Sequence, residues 1–228
     1  MKISVIIPVY NNASIIASHV SEVYSVMTHC GYTFEILLIN DGSTDGSDHA
    51  LSQLPYSNIR FFSQKNQGLG SVLQLGFAEA TGEILIILDL DLSYDIQNMR
   101  KVIHLSKNWD CVVCSKYAKT NIYPFHRKVL SILFYFFCKW VFKVSVRDMG
   151  SGFVLVHSRW VRNESFISKG FGIHCEFFLS LNAQKARILE IPINYSHFPG
   201  SFRIFKHSIQ TIKELIAIFF KQQKKITI

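Results

Sequence analysis

The chain of 228 residues lacks a long apolar run and carries few charges. A membrane-spanning helix takes roughly 18 consecutive apolar residues, and no stretch reaches that length. Charged residues make up 18% of the chain and apolar residues 49%. Disordered chains show the opposite balance, so the sequence predicts a folded chain with a substantial core. Internal repeats, low-complexity segments and linkers are also absent, which favours one domain.

The five cysteines are an odd number with no framework spacing. Disulfide frameworks need paired cysteines, so a reducing compartment fits this chain better. Cys111 and Cys114 form a C-x-x-C within an apolar run, but no second pair follows. We therefore predict a strand with two buried thiols here, in preference to a zinc or redox site. The apolar start ends at Pro8 without a clean cleavage site, so we expect no signal peptide and a cytoplasmic chain.

The charges are divided unequally between the two halves of the chain, whose formal net charge is +8. Residues 1–114 hold 6 basic and 11 acidic side chains, whereas residues 115–228 hold 18 basic and 5 acidic ones. The first half therefore suits a metal ion, and the second half suits anions. A basic surface would also allow nucleic-acid binding, but the sequence has no nucleic-acid motif, so we expect no nucleic-acid partner.

The first half alternates short apolar runs with helical patterns. Strands this apolar are usually buried on both faces, so we predict an α/β fold whose mostly parallel central sheet is flanked by helices. The predicted strands are residues 3–8, 34–40, 58–62, 84–88, 111–115, 146–157 and 187–195. The predicted helices are residues 13–29, 44–54, 68–80, 95–107 and 127–144, with an amphipathic helix over 208–225.

Two carboxylates, Asp89 and Asp91, follow directly after the predicted strand 84–88. Ligands in such sheets bind beyond the carboxyl ends of the strands. Mg²⁺ and Mn²⁺ take one or two carboxylates and complete their shells with substrate phosphates, so a metal site is one interpretation. Side chains alternate in an extended segment, so both acids can serve one metal only if the chain turns there. The alternative is a loop whose acids cap the next helix.

Polar and glycine-rich segments follow the second and third predicted strands as well. Asp41 is placed to accept hydrogen bonds from a nucleobase or ribose. The alternative is an Asx turn in which Ser43 or Thr44 caps the next helix. Gly68 and Gly70 open a helix whose backbone N–H groups a phosphate can approach. The third glycine of the dinucleotide-binding motif is missing, so the pattern does not indicate a dehydrogenase.

In combination, these motifs resemble those of family 2 glycosyltransferases, which have the GT-A fold. The motifs of the first half are residues 5–11, 39–46, 66–70 and 89–92. The second half resembles the polyprenyl-phosphate branch of that family, which includes dolichol-phosphate mannosyltransferases and their bacterial relatives. Its motifs are residues 114–117, 127–128, 147–153, 170–172, 176 and 190–193. The resemblance covers residues 3 to about 205, and it implies a Rossmann-like GT-A domain.

The resemblance also implies roles for individual residues. The nucleotide-sugar pocket would be lined by Pro8, Tyr10, Asn12, Asn40, Asp41, Gly68, Gly70 and Asp89. Asp89 and Asp91 would hold Mg²⁺ or Mn²⁺, with Asp91 the direct ligand. The catalytic set would be Asp89, Asp91, Arg127 and Asp148, and the lipid and donor phosphates would meet Lys116, Arg127, Arg147, Ser151 and Arg203. The family usually has Glu in place of Asn12 and Asp in place of Asn40, so GDP and UDP donors both stay open.

The implied reaction is a single in-line displacement with inversion at the sugar carbon. It would move a sugar from a GDP- or UDP-linked donor to a polyprenyl phosphate of the dolichyl or undecaprenyl type. A phosphate monoester has a second pKa of about 6, so it is ionised at neutral pH and needs no strong base. One alternative is transfer to a glycan or lipopolysaccharide hydroxyl, with Asp148 or Glu176 as the base. Another is a non-catalytic scaffold in a membrane complex.

Apolar residues recur at helical spacing in two predicted helices of the second half, residues 127–144 and residues 208–225. They are Leu130, Leu133, Phe134, Phe137, Val141 and Phe142 in the first, and Ile212, Leu215, Ile216 and Phe219 in the second. Such helices can lie among lipid headgroups, bind a membrane-protein partner or cover the sheet. We expect a peripheral protein on the cytoplasmic membrane face. The predicted organisation is a GT-A domain over residues 1–205, donor-binding to about residue 115 and acceptor-side from 116, and a basic amphipathic helix over 206–228.

Overall fold

Strands and helices alternate along a computed structural model that describes residues 1–118, 125–196 and 204–226. The strands are β1 (Lys2–Val9), β2 (Thr33–Asp41), β3 (Ile59–Gln64), β4 (Ile84–Leu88), β5 (Cys111–Ser115), β6 (Phe153–His157) and β7 (Ile188–Pro192). The helices are α1 (Ala13–Cys30), α2 (Ser47–Ser52), α3 (Leu69–Glu79), α4 (Met99–Leu105), α5 (Phe125–Phe142), α6 (Ile173–Ala183) and α7 (Ile204–Ile226). Two short 3₁₀ helices occupy Ile96–Asn98 and Ser158–Trp160.

The seven strands form one sheet in the order β3-β2-β1-β4-β6-β5-β7. Neighbouring strands are parallel except at β6, which runs antiparallel to β4 and β5. The predicted mostly parallel sheet is therefore confirmed. Because β6 pairs Phe153 with Leu88 at the end of β4, the loop before β6 reaches the same edge of the sheet as the loop after β4.

Helices cover both faces of the sheet, as the apolar strands predict. Successive side chains of a strand point to opposite faces. Ile6 accordingly packs in one core layer with Phe77 of α3 and Phe177 of α6. Val5 and Ile7 pack in the other layer, which includes α1 and α4.

The thiols of Cys111 and Cys114 are free and fully buried on β5, as predicted. Burial raises the pKa of both thiols far above its usual range, which keeps them protonated. Among the residues that the structure describes, no group of three or more His, Cys, Asp or Glu side chains is arranged to hold a metal. The C-x-x-C therefore reflects strand packing.

Helix α2 is shorter than the predicted helix 44–54, and neither Ser43 nor Thr44 caps it. The residue before α2 is Gly46, with a left-handed φ of 88°, which ends the preceding loop. The Ser43 hydroxyl instead donates to Oδ1 of Asn40 and accepts from the backbone N–H of Asn11 at 2.9 Å. The helix starts later because the loop before it is tied to the neighbouring loop.

The predicted strand 146–157 is also too long, because β6 begins only at Phe153. Residues 147–152 form a turn in which the Ser151 N–H donates to the Asp148 carbonyl at 3.1 Å. Helix α6 was not predicted. It buries residues around most of its circumference, so it shows no clear amphipathic stripe for a sequence pattern to detect.

Helices α5 and α7 pack against the α3 and α6 face through a few residues, including Cys138, Phe142, Leu215 and Ile218. Helix α7 starts at Ile204, a few residues before the predicted 208. Within the described ranges, neither these helices nor any other has the length and hydropathy to cross a membrane.

Candidate active site

Asp89 and Asp91 lie beyond the carboxyl end of β4, where the chain turns. The Leu92 N–H donates to the Asp89 carbonyl at 3.3 Å, and Leu92 has a left-handed φ of 51°. Asp91 Oδ1 accepts a hydrogen bond from the Ser93 N–H at 2.9 Å. The turn that the metal interpretation requires is therefore present, and it brings the two carboxylates to the same end of the strand.

Gly152, which precedes β6, leaves the space that the Asp89 carboxylate occupies. The Asp89 N–H donates to the Gly152 carbonyl at 2.7 Å. A Cβ atom at Gly152 would collide with the Asp89 carboxylate. A side chain there would displace Asp89, so the fit of the two loops requires glycine at this position.

The environment of Asp89 favours a neutral carboxyl group or a nearby cation. Burial and the negative charges of Asp91 and Asp148, opposed by the positive charge of Lys116, together raise the pKa of Asp89 to about 7. No hydrogen bond to the Asp89 carboxylate is found among the described residues. Clustered carboxylates with unused acceptor atoms are the ligands that Mg²⁺ and Mn²⁺ prefer, so Asp89 and Asp91 fit a divalent cation.

Asp148 lies beside this pair, but most of its hydrogen-bonding capacity is already used within the protein. Its side chain is 1% exposed, and it forms a salt bridge with the Lys116 ammonium group. Oδ2 accepts the Tyr94 hydroxyl and the Lys116 N–H, both at 2.9 Å. Burial and the Asp148 charge raise the pKa of the Tyr94 phenol well above its usual value, so Tyr94 stays a donor. Asp148 thus anchors Lys116 and Tyr94, and three of its roughly four acceptor positions are already used.

The turn that carries Asp148 is itself held from β7. The two Glu190 carboxylate oxygens accept the N–H groups of Arg147 and Asp148, each at 3.0 Å. His174, on α6, lies near this group of charges, and burial lowers its pKa to about 4. His174 is therefore neutral at physiological pH.

On the other side of the site, Asp41 holds the loop between β3 and α3. Its Oδ1 accepts from the Gln64 side chain at 2.8 Å and from the Gln67 N–H at 2.9 Å, and Oδ2 accepts the Gly68 N–H at 2.8 Å. Asp41 is buried, with 6% of its surface exposed. Its carboxylate therefore shapes the wall of the predicted nucleotide pocket through this loop.

Asn40 is fully buried and also bonded within the protein. Its amide donates to Asp48 Oδ1 at 2.6 Å, and its Oδ1 accepts the Ser43 N–H at 3.1 Å. Hydrogen bonds from Ser63 and Asn40 lower the pKa of Asp48. Asn40 therefore connects the loop after β2 to α2.

Pro8, Tyr10 and Asn12 lie at the end of β1 and in the loop that follows. Pro8 is partly buried on β1, whereas Tyr10 is 43% exposed beside the same edge of the sheet. The N–H of Asn12 donates to Ser47 Oγ at 3.2 Å. Asp45 Oδ2 accepts the Ala13 N–H at 2.9 Å, so a carboxylate from the next loop supports the start of α1. The sequence analysis missed Asp45, whose place in the D-G-S-T-D motif was the available signal.

Gly68 and Gly70 lie against residues 168–170. Gly68 has a φ of 100°, and a Cβ there would lie 2.7 Å from the Lys169 carbonyl oxygen. A Cβ at Gly70 would collide with the Ser168 carbonyl. The close approach of this backbone, therefore, is one reason why both positions are glycine.

The residues predicted to bind phosphate lie in different environments. Ser151 is 1% exposed, and its hydroxyl donates to the Cys114 carbonyl, so it joins β5 to β6. The Arg147 side chain is exposed next to the Asp148 turn. Arg203 and the side chain of Arg127 lie outside the described residues, although the backbone at 127 belongs to α5. The sequence analysis also missed Tyr94 as a partner of this turn, and it included Glu190 in a family motif without connecting it to the turn.

Residues 4–211 match the family model for glycosyl transferase family 2. The chain therefore belongs to glycosyltransferase family 2, as the sequence motifs predicted. It is 28% identical over 212 residues to a dolichol-phosphate mannosyltransferase of Pyrococcus furiosus. The aligned region covers 86% of this chain and 56% of that protein. An uncharacterized glycosyltransferase of Nostoc is 36% identical over 115 residues, 49% of this chain and 35% of that protein. The chain thus spans about half or less of these relatives.

Solved structures of glycosyltransferases share the fold. The glucosyl-3-phosphoglycerate synthase of Mycobacterium tuberculosis, in complex with Mn²⁺, UDP and phosphoglyceric acid, has a TM-score of 0.70 and 16% identity, covering 96% of this chain and 78% of that one. A mannosyltransferase of Pyrobaculum calidifontis, in complex with GDP-Man and Mn²⁺, has a TM-score of 0.64 and 17% identity, covering 97% of this chain and 64% of that one. The protein therefore has the GT-A fold.

Proposed function

We propose that the protein transfers a sugar from a nucleotide-sugar donor to a polyprenyl phosphate at a membrane surface, with inversion at the sugar carbon. The observation that carries the proposal is the combination of the Asp89 and Asp91 turn with an exposed apolar surface on α5 and α7. The likeness to a dolichol-phosphate mannosyltransferase supports this choice of acceptor.

Asp89 and Asp91 would hold Mg²⁺ or Mn²⁺, with Asp91 the direct ligand. When bound, such an ion neutralises the negative charge that develops on the departing nucleoside diphosphate. Pro8, Tyr10, Asn12, Asn40, Asp41, Gly68 and Gly70 would form the walls of the donor pocket. The salt bridge to Asp148 would hold the Lys116 ammonium group beside the acceptor phosphate. Arg147 and, beyond the described side chains, Arg127 and Arg203 would supply further cations.

A phosphate acceptor fits the hydrogen bonding of the nearby carboxylates. A hydroxyl acceptor would need a general base with a free acceptor oxygen. Asp148 already accepts three hydrogen bonds and is paired with the Lys116 ammonium group, which disfavours the uptake of a proton. Glu176 is saturated by the Ile167 and Ser168 N–H groups and by Lys221. An ionised phosphate oxygen attacks the sugar carbon without such a base, while the bond to the diphosphate oxygen breaks.

The surface on α5 and α7 fits an isoprenoid chain and the lipid around it. Large apolar side chains from both helices line an open groove of about 990 Å³. Trp140, at its mouth, is 86% exposed. Lys139, Lys143 and Lys213 are exposed on the same two helices or just beyond them, where anionic headgroups would attract them. We therefore propose a peripheral location on the cytoplasmic membrane face; a membrane-protein partner is the competing occupant of the surface.

The test is transfer of radiolabel from individual GDP- and UDP-sugars to a short polyprenyl phosphate, with Mn²⁺ or Mg²⁺, counted in the organic phase. Asp91→Asn should lower the rate by at least about 100-fold, because it weakens a direct metal ligand. Asp95→Asn is the matched control: Asp95 accepts the Gln97 N–H at 3.0 Å and caps a 3₁₀ helix, so the rate should stay within about twofold.

Label that depends on both the lipid and Asp91 would support the proposal. Label that enters a glycan or lipopolysaccharide in the absence of polyprenyl phosphate would show that the acceptor is a hydroxyl. A folded protein that transfers no sugar from any donor would contradict the proposal and point to a scaffold.

A further inference from the structure

Residues 165–172 form a segment, here called the strap, that leads into α6. Two carboxylates hold its backbone. Glu176 accepts the N–H groups of Ile167 and Ser168 at 3.0 and 2.9 Å. Glu214 of α7 accepts the N–H groups of Lys169, Gly170 and Gly172 at 3.1, 2.7 and 2.9 Å. Five backbone donors of the strap are thus satisfied by two side chains, and three of the five depend on α7.

The strap also contacts the start of α3. The Lys169 carbonyl accepts the Ser71 N–H at 3.1 Å, and the Ser168 carbonyl accepts the Gln74 side-chain amide at 2.9 Å. Gly68 and Gly70 let the two backbones approach this closely. The position of the strap therefore limits where the loop before α3 can lie.

That loop is in turn held by Asp41 at the end of β2, through the N–H groups of Gln67 and Gly68. A continuous series of hydrogen bonds and backbone contacts runs from Glu214 through the strap to the loop, and from the loop to Asp41. Every link joins elements that are distant in sequence, so the loop depends on α7 for part of its support.

Glycines in the strap allow α7 to approach. A Cβ at Gly170 would lie 2.7 Å from the Gln210 side-chain nitrogen, and one at Gly172 would lie 2.7 Å from Glu214 Cβ. Lys221, two turns further along α7, forms a 3.0 Å ion pair with Glu176 of α6 and donates to the Ser165 carbonyl of the strap at 2.5 Å. Helix α7 is thus attached to the strap at two points, while residues such as Ile212 and Ile216 on its other face are exposed.

We infer that Glu214 is a positioning residue for the donor loop at 66–70: through the strap, α7 sets the conformation in which this loop receives the diphosphate of the donor. The identity of the ligand rests on the function proposed above, whereas the coupling between Glu214 and the loop rests only on the contacts described here. Glu214 itself touches no substrate.

The test compares the wild-type protein with Glu214→Gln, which replaces one of the two acceptor oxygens with an amide that faces the N–H donors. We expect the affinity for UDP or GDP with Mn²⁺, measured by calorimetry, to fall about threefold to tenfold. The donor KM should rise by a similar factor, while kcat and the KM for polyprenyl phosphate stay within about twofold. Glu214→Asp keeps both oxygens and should recover part of the affinity.

Two control variants match the change. Glu164→Gln removes the same charge from a residue whose contact, to the Gln184 amide at 3.3 Å, involves neither Glu214 nor the loop at 66–70. Ala217→Gln changes an exposed residue of the same helix that belongs to neither the strap nor the apolar groove. Both should leave nucleotide affinity unchanged.

Amide hydrogen exchange tests the coupling without requiring turnover. In Glu214→Gln, faster exchange should extend from 169–172 across to the amides of Gln67, Gly68 and Ser71. Faster exchange confined to 169–172, or an unchanged nucleotide affinity in a variant whose strap has loosened, would overturn the inference. Failure of the wild-type protein to transfer sugar would defeat the proposed function and leave the exchange result to decide the coupling.

Discussion

The acidic first half and the basic second half of the chain use their charges in different ways. Acids of the first half mostly bind backbone and side-chain donors within the protein, as Asp41, Asp45 and Asp48 do. Asp89 is different, because its carboxylate is crowded by other acids. The second half instead exposes apolar side chains on α5 and α7. A charge count along the sequence therefore does not show which acids are available to a ligand, because most acids of the first half maintain the fold of the loops.

The largest effect on stability is expected for Asp41→Ala in the first half. It removes a buried carboxylate that accepts three hydrogen bonds, two of them from backbone N–H groups that would be left without a partner. The free energy of unfolding should fall by about 4 kcal/mol, measured by urea denaturation. Glu22→Ala, which removes an exposed acid on α1, should change it by less than about 0.5 kcal/mol. A loss below about 1 kcal/mol for Asp41→Ala would mean that the loop does not depend on this carboxylate.

In the second half, we expect substitutions on the exposed face of α5 to weaken binding to lipid with little change in the free energy of unfolding. Replacing Phe136 and Trp140 together with serine removes two large exposed side chains from α5. Binding to anionic lipid vesicles, measured by sedimentation, should weaken by about 100-fold, since burying a large apolar side chain contributes roughly 1.5–3 kcal/mol.

Phe61→Ser is the control, because Phe61 is 48% exposed but lies on β3 in the first half. It should leave vesicle binding unchanged. Equal losses of vesicle binding in both variants would remove the distinction between the two halves. Unchanged vesicle binding in the α5 variant would indicate that a protein, in place of lipid, covers this surface.

A smaller effect concerns Glu35 on β2, far from the site. Burial opposes its ionisation, but hydrogen bonds from Ser4 and Thr81 and the charge of Lys2 together lower its pKa to about 2. A carboxyl group whose pKa is lowered by folding stabilises the protein above its unfolded pKa of about 4.3, and this stabilisation is lost as the pH falls towards 2.

Unfolding free energies measured between pH 5 and pH 2 should therefore decline more steeply in the wild-type protein than in Glu35→Gln. The difference in slope should not exceed about 1.4 kcal/mol per pH unit, the limit for one proton. Parallel curves for the two proteins would show that Glu35 titrates normally in the folded state.

Local pattern was sufficient to predict most of the sheet, because each strand is an apolar run of the right length between polar turns. The turn at Asp89 and Asp91 was only a condition of the metal interpretation, and the structure shows that the chain does turn there. Local pattern failed at α6, which is buried on most sides, and at residues 147–152, where Asp148 and Ser151 bond across the sheet.

The partners of the predicted site residues depend on contacts between distant segments. The sequence analysis placed Gly68 and Gly70 at a helix start that a phosphate can approach, whereas the structure places the backbone of residues 168–170 against them. Likewise, Asp148 was predicted as part of the site, whereas its bonds to Lys116 and Tyr94 arise only when β4, β5 and β6 lie side by side.

The insertion of β6 between β4 and β5 has a consequence for how the chain folds during synthesis. When only residues 1–115 have emerged, β4 lacks its β6 neighbour and β5 lacks both of its neighbours. An unpaired strand edge made of Ile84–Leu88, all of it apolar, is a template for aggregation. The edge of β4 is covered only after residue 157 has been made. The two halves therefore share one sheet, and a fragment that ends near residue 115 should be unstable in isolation even though its own helices and strands are nearly complete.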